Sequence, residues 1–524
     1  MNASAPWSRV DTWCALVLAA VTVAASAMAI TTQPVGVFQD DGMYVVLARS
    51  LAEGEGYRFS NLPNAPHGTH FPPLYPLWLA LLWKMSPSFP ANVQLFKLGN
   101  SLLLGAAAVG AFMLARRQLG FRTWPAAGLS LVSAACAPLI WLSAMVLSEP
   151  AFLAALFPVL LLAERAATTP GSRSAAAAGA AAGALALLRS LGMFIVPALA
   201  VVLVLKRRWW AAAAALLAGI LVVAPWQIFT MLHADELPPA LAGKYGSYFG
   251  WVVDGMRAGG FAFVTSVVKT NASHTVNFLS GSLGIAAAHW ALRAVAVALL
   301  LVLFVVGARR LGDRAPVTAV FTAIYVLTVL LWPFPPHRFY WGIMPILVFT
   351  AALGAREIYR ALASRRPLYK HVLLAGATVL ALMYARPNLL GTPRWEVADE
   401  ERTVAERSRA VAQWVARNAG PNDLIATEDD VLIHLYTGRP AIPLFAFTPH
   451  EYVKPQTTAY ARATLDTLLR TYAVRWVLPV NVMGIHTSLA LAQRDSSLVL
   501  REGLSLGAVF ERVRDADDLE GPRP

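Results

Sequence analysis

Residues Gly36–Tyr57 read GVFQDDGMYVVLARSLAEGEGY. The stretch begins just after the first long apolar run stops, and it presents two adjacent carboxylates, Asp40 and Asp41. Its continuation can form an amphipathic helix: Met43, Val46, Leu47, Ser50 and Leu51 line one stripe, and Gly54 and Gly56 end it. A second stretch, FPPLYPLWLALLWKM (71–85), is rich in Trp and Leu but broken by proline and too short to span. It reads as a helix lying at a membrane interface. The acidic pair therefore heads a surface helix held against a membrane. Two uses of it stay open on these residues alone. A carboxylate suits the donor-rich first turn of a helix as a cap, and a positioned aspartate can act as a general base. One Asp suffices for capping, which leaves the second unexplained.

Composition supports the membrane setting. Of 524 residues, 57% are hydrophobic and only 14% charged, against roughly 25% charged in soluble proteins. The net charge is +13. In a soluble protein that would suggest nucleic acid, but the basic residues sit in short clusters between apolar runs, the cytoplasmic-loop pattern of the positive-inside rule. No nucleic-acid partner is expected. Cys14 and Cys136 both lie within apolar runs and read as small core residues. No P-loop, dinucleotide fingerprint or Cys/His cluster with zinc spacing occurs. The first apolar run has no clear cleavage site after it, so it reads as an uncleaved first helix.

The apolar runs predict eleven spans, at 11–32, 93–115, 124–143, 147–164, 175–188, 191–206, 210–231, 286–308, 315–333, 341–361 and 370–386. From a cytoplasmic N-terminus this count puts Arg116, Arg117 and Arg122 on the inside. Lys206, Arg207 and Arg208 follow there, then Arg309, Arg310 and Arg314, and last Arg356, Arg360, Arg365, Arg366 and Lys370. Merging the two short spans at 175–206 throws the later clusters to the opposite face, so eleven obeys the positive-inside rule and ten does not. The loop at about 33–92, the loop 232–285 and the tail from 387 are then left outside the cytoplasmic membrane.

The tail shifts in composition. ERTVAERSRAVAQWVARNAG (401–420) has helical periodicity and a helix stop. DLIAT (423–427) and VRWVLPV (474–480) read as buried strands with a helical stretch between them. The expected architecture is a polytopic helical membrane domain over 1–386 and a small extracytoplasmic α/β domain over 387–524.

QDDGMY and HFPPLYPLWLA resemble the first outer loop of the GT-C glycosyltransferases, in particular the protein O-mannosyltransferases and lipid A aminoarabinose transferases. The matching residues are Asp40, Asp41 and Tyr44, then Pro72, Pro73, Leu74 and Tyr75. LSEPAF, LLRSLGMFIVPAL, VVAPWQ, FPPHRFYWGIMP and YTGRP are looser matches. The resemblance implies a polyprenyl-phosphate sugar donor, transfer to an acceptor hydroxyl on the outer face, and inversion at the anomeric carbon. It makes Asp40 the catalytic base and Asp41 its acidic companion. It implies no metal, although two acidic residues can hold a divalent cation, as in oligosaccharyltransferases of the same superfamily. Relatives of the mannosyl type pair up, so a dimer is compatible. The acceptor, whether glycan, lipid or protein, stays open. One departure matters: where the aminoarabinose enzymes carry Lys before Pro-Pro, this chain has Phe71 preceded by His70.

A phosphate contact must then come from elsewhere. Arg338, in PPHRFYW with His337 and Tyr340, sits on the predicted outer side against the charge bias. It reads either as an arginine snorkelling to the head groups or as a forked phosphate contact. Arg189 lies in a tight turn between two short spans, where a charge is costly unless it faces a cavity. Glu149, at the end of the fourth span, can pair with an arginine, hold substrate or cap its helix. Lys244, in GKYGSYFG, is a further candidate. Asp429 and Asp430 in TEDDV form a second acidic pair, which reads as a helix N-cap. The alternative function is a transporter or flippase for lipid-linked sugars. It predicts charges along a pathway within the spans, and often internal repeats; no repeat is visible.

Overall fold

A computed structural model describes residues 6–363, 367–390, 399–446, 449–455, 457–504 and 507–513. Arg365 and Arg366 of the predicted basic cluster lie outside them. The chain is mostly helical with one small sheet. The predicted spans fall on helices, those at 124–143, 191–206 and 341–361 on two each, although not every one is long and apolar enough to cross a membrane. Among the described residues six are long and apolar enough: Arg9–Met28, Val93–Gln118, Glu149–Thr168, Trp209–Glu236, Trp290–Arg314 and Leu368–Asn388. Thr123–Ala134 and Ala137–Ala144, bent by 53°, make a seventh if they are one span. The segments Arg173–Leu188, Ser190–Leu205 and Pro316–Leu331 are shorter apolar helices. The protein is thus a multi-pass membrane protein.

The chain divides into two compact units. The first comprises Met1–Thr31, Gln94–Ile228 and Val264–Glu396. Small residues let its helices approach closely, as packing between membrane helices favours. A Cβ on Gly307 would fall 1.9 Å from the Thr350 carbonyl, and one on Gly354 would fall 2.0 Å from that of Leu303. At one end of the unit Arg116 forks onto buried Asp11, with Nε–Oδ1 2.6 Å and Nη2–Oδ2 2.9 Å. The Thr123 hydroxyl also donates to Asp11. Both cysteines are buried and free.

The second unit gathers Thr32–Val93, Phe229–Phe263 and Val397–Pro524. Its sheet has the order β2-β1-β3-β5-β4, with β1 Leu424–Thr427, β2 Ala441–Pro443, β3 Val474–Val477, β4 Leu498–Leu504 and β5 Gly507–Arg512. Strands β1, β2 and β3 run parallel, and β5 is antiparallel to β3 and β4. Val411, Trp414 and Val415 of helix Asp399–Asn418 pack on Ile425, Trp476 and Val509 to form the core. The apolar periodicity of that helix is the reason it docks there.

The helix predicted from the opening stretch spans Asp40–Glu53 and ends at Gly54 in the left-handed region. It is not the one-sided surface helix that its pattern suggests. Asp41 through Ala48 are all buried, because helices Leu74–Met85 and Asp430–Thr437 of the same unit pack against it. Helix Leu74–Met85 keeps Leu77, Leu81 and Met85 exposed, a stripe at four-residue spacing of the kind that lies in a membrane interface. The approach to helix Asp40–Glu53 is close. Gly36 has φ +102, and a Cβ there would meet Leu432 Cβ at 2.7 Å. Gly36→Ala should therefore cost about 1–3 kcal/mol through overpacking and strain. Gly54→Ala, with φ +86 but open space around it, should cost less. Thermal unfolding of the full chain in detergent checks that order.

Candidate active site

Asp40 and Asp41 occupy the first two positions of their helix, and Gln39 stands at the N-cap. Gln39 has φ 60, a conformation that L-residues adopt at a cost and that clusters at functional sites. Neither Asp is the N-cap residue, and Gln39 makes no side-chain cap hydrogen bond. The two carboxylates differ in environment. Asp41 is buried; its Oδ2 accepts from the Gly36 amide and its Oδ1 from the Gly42 amide, both at 2.9 Å. It braces the incoming loop against the helix. Asp40 is half-buried, with its backbone amide given to the Phe38 carbonyl at 2.6 Å.

Around this helix the second unit assembles an aromatic cluster. Tyr44 packs at a tilt against Phe71 (4.3 Å between ring centroids) and meets Tyr75 edge-on (4.9 Å). His70 contacts Phe71, Tyr248 and Trp251. Its Nδ1 lies 2.5 Å from the Gly246 carbonyl, so Nδ1 carries the proton and donates it there. Burial pushes the His70 imidazolium down from the ordinary range, against the opposing pull of the Gly246 carbonyl and the Asp40 charge. Burial thus favours the neutral form of His70. Phe71, at the position where a lysine was looked for, is buried in this cluster and offers no charge. Tyr248 and Trp251 were not legible as partners of His70, because nothing in a loop sequence reports a long-range ring contact.

Lys244 lies in the same unit but is committed to an internal ion pair. Its Nζ is 2.6 Å from Asp430 Oδ1, and the neighbouring Tyr245 hydroxyl donates to Asp430 Oδ2. Asn61 in turn donates to Tyr245 at 2.8 Å. The TEDDV segment thereby departs from its expected N-cap role. Asp429 stands at the N-cap of helix Asp430–Thr437 without a side-chain cap bond; its carboxylate instead accepts from the Ser408 hydroxyl. Both carboxylates were spent on tertiary contacts that local spacing does not encode.

Burial pushes the Glu428 carboxyl up to about 7, with the Asp429 charge adding to it, and pushes Asp429 up to about 6 against its Ser408 hydrogen bond. Groups raised in this way add stability that is complete below their unfolded pKa, near 4, and lost as pH rises through 6–7. Glu428→Gln, which stays neutral, should therefore unfold at a higher temperature than wild type at pH 8. The difference should shrink towards pH 5. An offset that grows on acidification would show that Glu428 is held ionised.

The first unit holds a second constellation. Glu149, fully buried at the start of helix Glu149–Thr168, receives two guanidinium groups. Arg338 forks onto both its oxygens, with Nη2–Oε2 3.3 Å. Arg189 Nη1 lies 2.7 Å from Oε1 and also donates to Ser148 Oγ at 3.1 Å. The Arg189 guanidinium sits 5.7 Å from the Phe339 ring, and Tyr325 fixes that turn by donating to the Phe339 carbonyl at 2.8 Å. Two cations against one anion leave a surplus of one positive charge. Three residues singled out separately from the sequence are thus one cluster. Their flanking candidates turn elsewhere: Tyr340 shares a hydrogen bond with Thr275 (2.8 Å), and the His337 ring faces His274 (5.4 Å).

Two solved structures share this architecture. ArnT from Cupriavidus metallidurans bound to undecaprenyl phosphate superposes with a TM-score of 0.58 at 14% identity, covering 97% of this chain and 99% of that one. The apo form of the same ArnT gives 0.55 at 14% identity, covering 98% and 100%. This chain shares its fold with ArnT. ArnT is a lipid A aminoarabinose transferase of the GT-C superfamily, the type that the motifs of the first loop resemble. No protein-family model and no curated protein matches the chain in sequence, so the likeness to ArnT is one of fold.

Proposed function

We propose that the chain is an inverting glycosyltransferase that moves a sugar from a polyprenyl-phosphate donor to an acceptor hydroxyl. The observation that carries the proposal is the division of labour in the acidic pair. Asp41 is consumed by two backbone amides, whereas Asp40 is only half-buried at the head of a closely packed helix. That is the placement of a base rather than a cap. In the step, the acceptor oxygen attacks the anomeric carbon from the face opposite the phosphate. The bond from that carbon to the phosphate oxygen breaks, polyprenyl phosphate leaves, and Asp40 takes the hydroxyl proton. Within the first unit, the surplus charge of Arg189 and Arg338 over Glu149 is suited to holding a phosphate group. The ArnT fold, solved with undecaprenyl phosphate bound, supports a lipid-phosphate donor. In this reading eleven segments cross the cytoplasmic membrane and the sheet-bearing tail lies outside it. Neither Asp40 nor Asp41 requires a metal for this role.

The test is a glycan and glycolipid comparison in a host lacking the protein. One species should disappear in the deletion and return with wild type, and the missing sugar names the donor. Unchanged products together with a lipid-linked sugar retained on one side of the membrane would instead favour transport.

A further inference from the structure

Three ligand-type side chains far apart in sequence meet in the second unit. His67 sits on a hairpin fixed by the Arg58–His67 bridge and by two backbone bonds of 2.8 Å, Phe59 amide to Pro66 carbonyl and Gly68 amide to Tyr57 carbonyl. His233 and Glu236 occupy the turn that follows helix Trp209–Leu232. Both imidazoles turn the same nitrogen, Nδ1, towards one carboxylate. His67 Nδ1 is 2.8 Å and 2.9 Å from the two Glu236 oxygens, and His233 Nδ1 is 2.6 Å from Oε1. The donor atoms all lie within 4.8 Å of one another. Phe229 wedges against both rings (5.5 Å and 4.6 Å), and the rings lie 3.8 Å apart.

We propose that His67, His233 and Glu236 bind a divalent transition-metal ion, zinc by donor set, independently of the glycosyltransferase reading. Two neutral imidazoles and one carboxylate are the ligands of open zinc sites, which keep a further position for water. Metal–ligand bonds of about 2.1 Å place tetrahedral donors roughly 3.4 Å apart, so the histidine–carboxylate contacts need to open by about 0.5–0.8 Å. The supporting shell is already built. The His67 backbone amide donates to Glu236 Oε2 at 2.9 Å, which orients the carboxylate, and Phe229 fixes both rings, as outer shells of metal sites do. All three side chains are partly exposed, so an ion can enter. On binding, each neutral imidazole carries its proton on Nε2 and turns the Nδ1 lone pair to the ion. A simple hydrogen-bonded staple is the competing account: both imidazoles donate to Glu236 and no ion is needed.

The experiment equilibrates the purified full chain in detergent with buffered zinc and measures bound metal by elemental analysis. Wild type should hold one zinc per chain and unfold at a higher temperature with zinc than with chelator. Cobalt in its place should give the intense visible band of low coordination. Glu236→Gln keeps an acceptor for both imidazoles, so a staple survives it, whereas zinc affinity should fall at least tenfold. His67→Ala with His233→Ala should abolish binding. Zinc bound no better by wild type than by these variants overturns the proposal, as does a zinc-independent unfolding temperature. Should the double variant fail to fold, the Glu236→Gln comparison decides alone.

Discussion

Asp40→Asn should lower the rate of sugar transfer by about 10²–10⁴-fold, the range that removing a general base produces. Asparagine has the same shape and keeps the backbone contact with Phe38, so the fold and the Km for donor should change little. The loss should therefore appear in kcat. Asp41→Asn should behave differently. Its carboxylate accepts from two amides; an amide side chain can accept only one and turns N–H towards the other. The cost is about 1–3 kcal/mol, read as a lower unfolding temperature with activity lost through misplacement of the helix. If instead Asp41→Asn is the variant that folds normally with no turnover and Asp40→Asn is active, the assignment within the pair is reversed. Steady-state kinetics alongside thermal unfolding separates the two.

The second large effect concerns the cluster in the first unit. Arg338→Ala removes the surplus positive charge and leaves Glu149 with Arg189. Loss of a charge-assisted contact of about 1.5–3 kcal/mol should raise the Km for donor roughly ten- to a hundredfold. Arg338→Lys keeps the charge without the fork and should recover only part of it. Glu149→Gln is expected to act on folding instead. It leaves two guanidinium groups facing each other without their carboxylate, a loss of about 3–5 kcal/mol for a buried pair. A Glu149→Gln protein of normal stability, or an Arg338→Ala protein with unchanged donor Km, contradicts this division of roles.

Much of the membrane part was legible because a spanning helix demands a long apolar run, and such runs stand out at 93–115, 147–164 and 286–308. The strands in DLIAT and VRWVLPV were legible for the same reason, as short apolar runs. Strand β4 was not, since LVLREGL mixes charge and glycine into an edge strand. Nor did the sequence show that residues 32–93 and 229–263 fold together with the tail; each alone reads as a loop. Asp40 and Asp41 were visible as a pair, but their unequal environments depend on Gly36 and Gly42 lying in the right place. Glu149, Arg189 and Arg338 were each recognisable as costly charges near predicted membrane ends. Only tertiary structure shows that Glu149 holds both guanidinium groups. The ion pair of Lys244 was not legible for a related reason: its partner Asp430 lies almost two hundred positions away.

The most direct test is donor consumption by the purified protein in liposomes that contain polyprenyl-phosphate-linked sugars. With an acceptor extract present, wild type should release free polyprenyl phosphate and lengthen an acceptor, and Asp40→Asn should do neither. Donor that crosses the bilayer with its sugar–phosphate bond intact, equally with wild type and Asp40→Asn, would contradict the account.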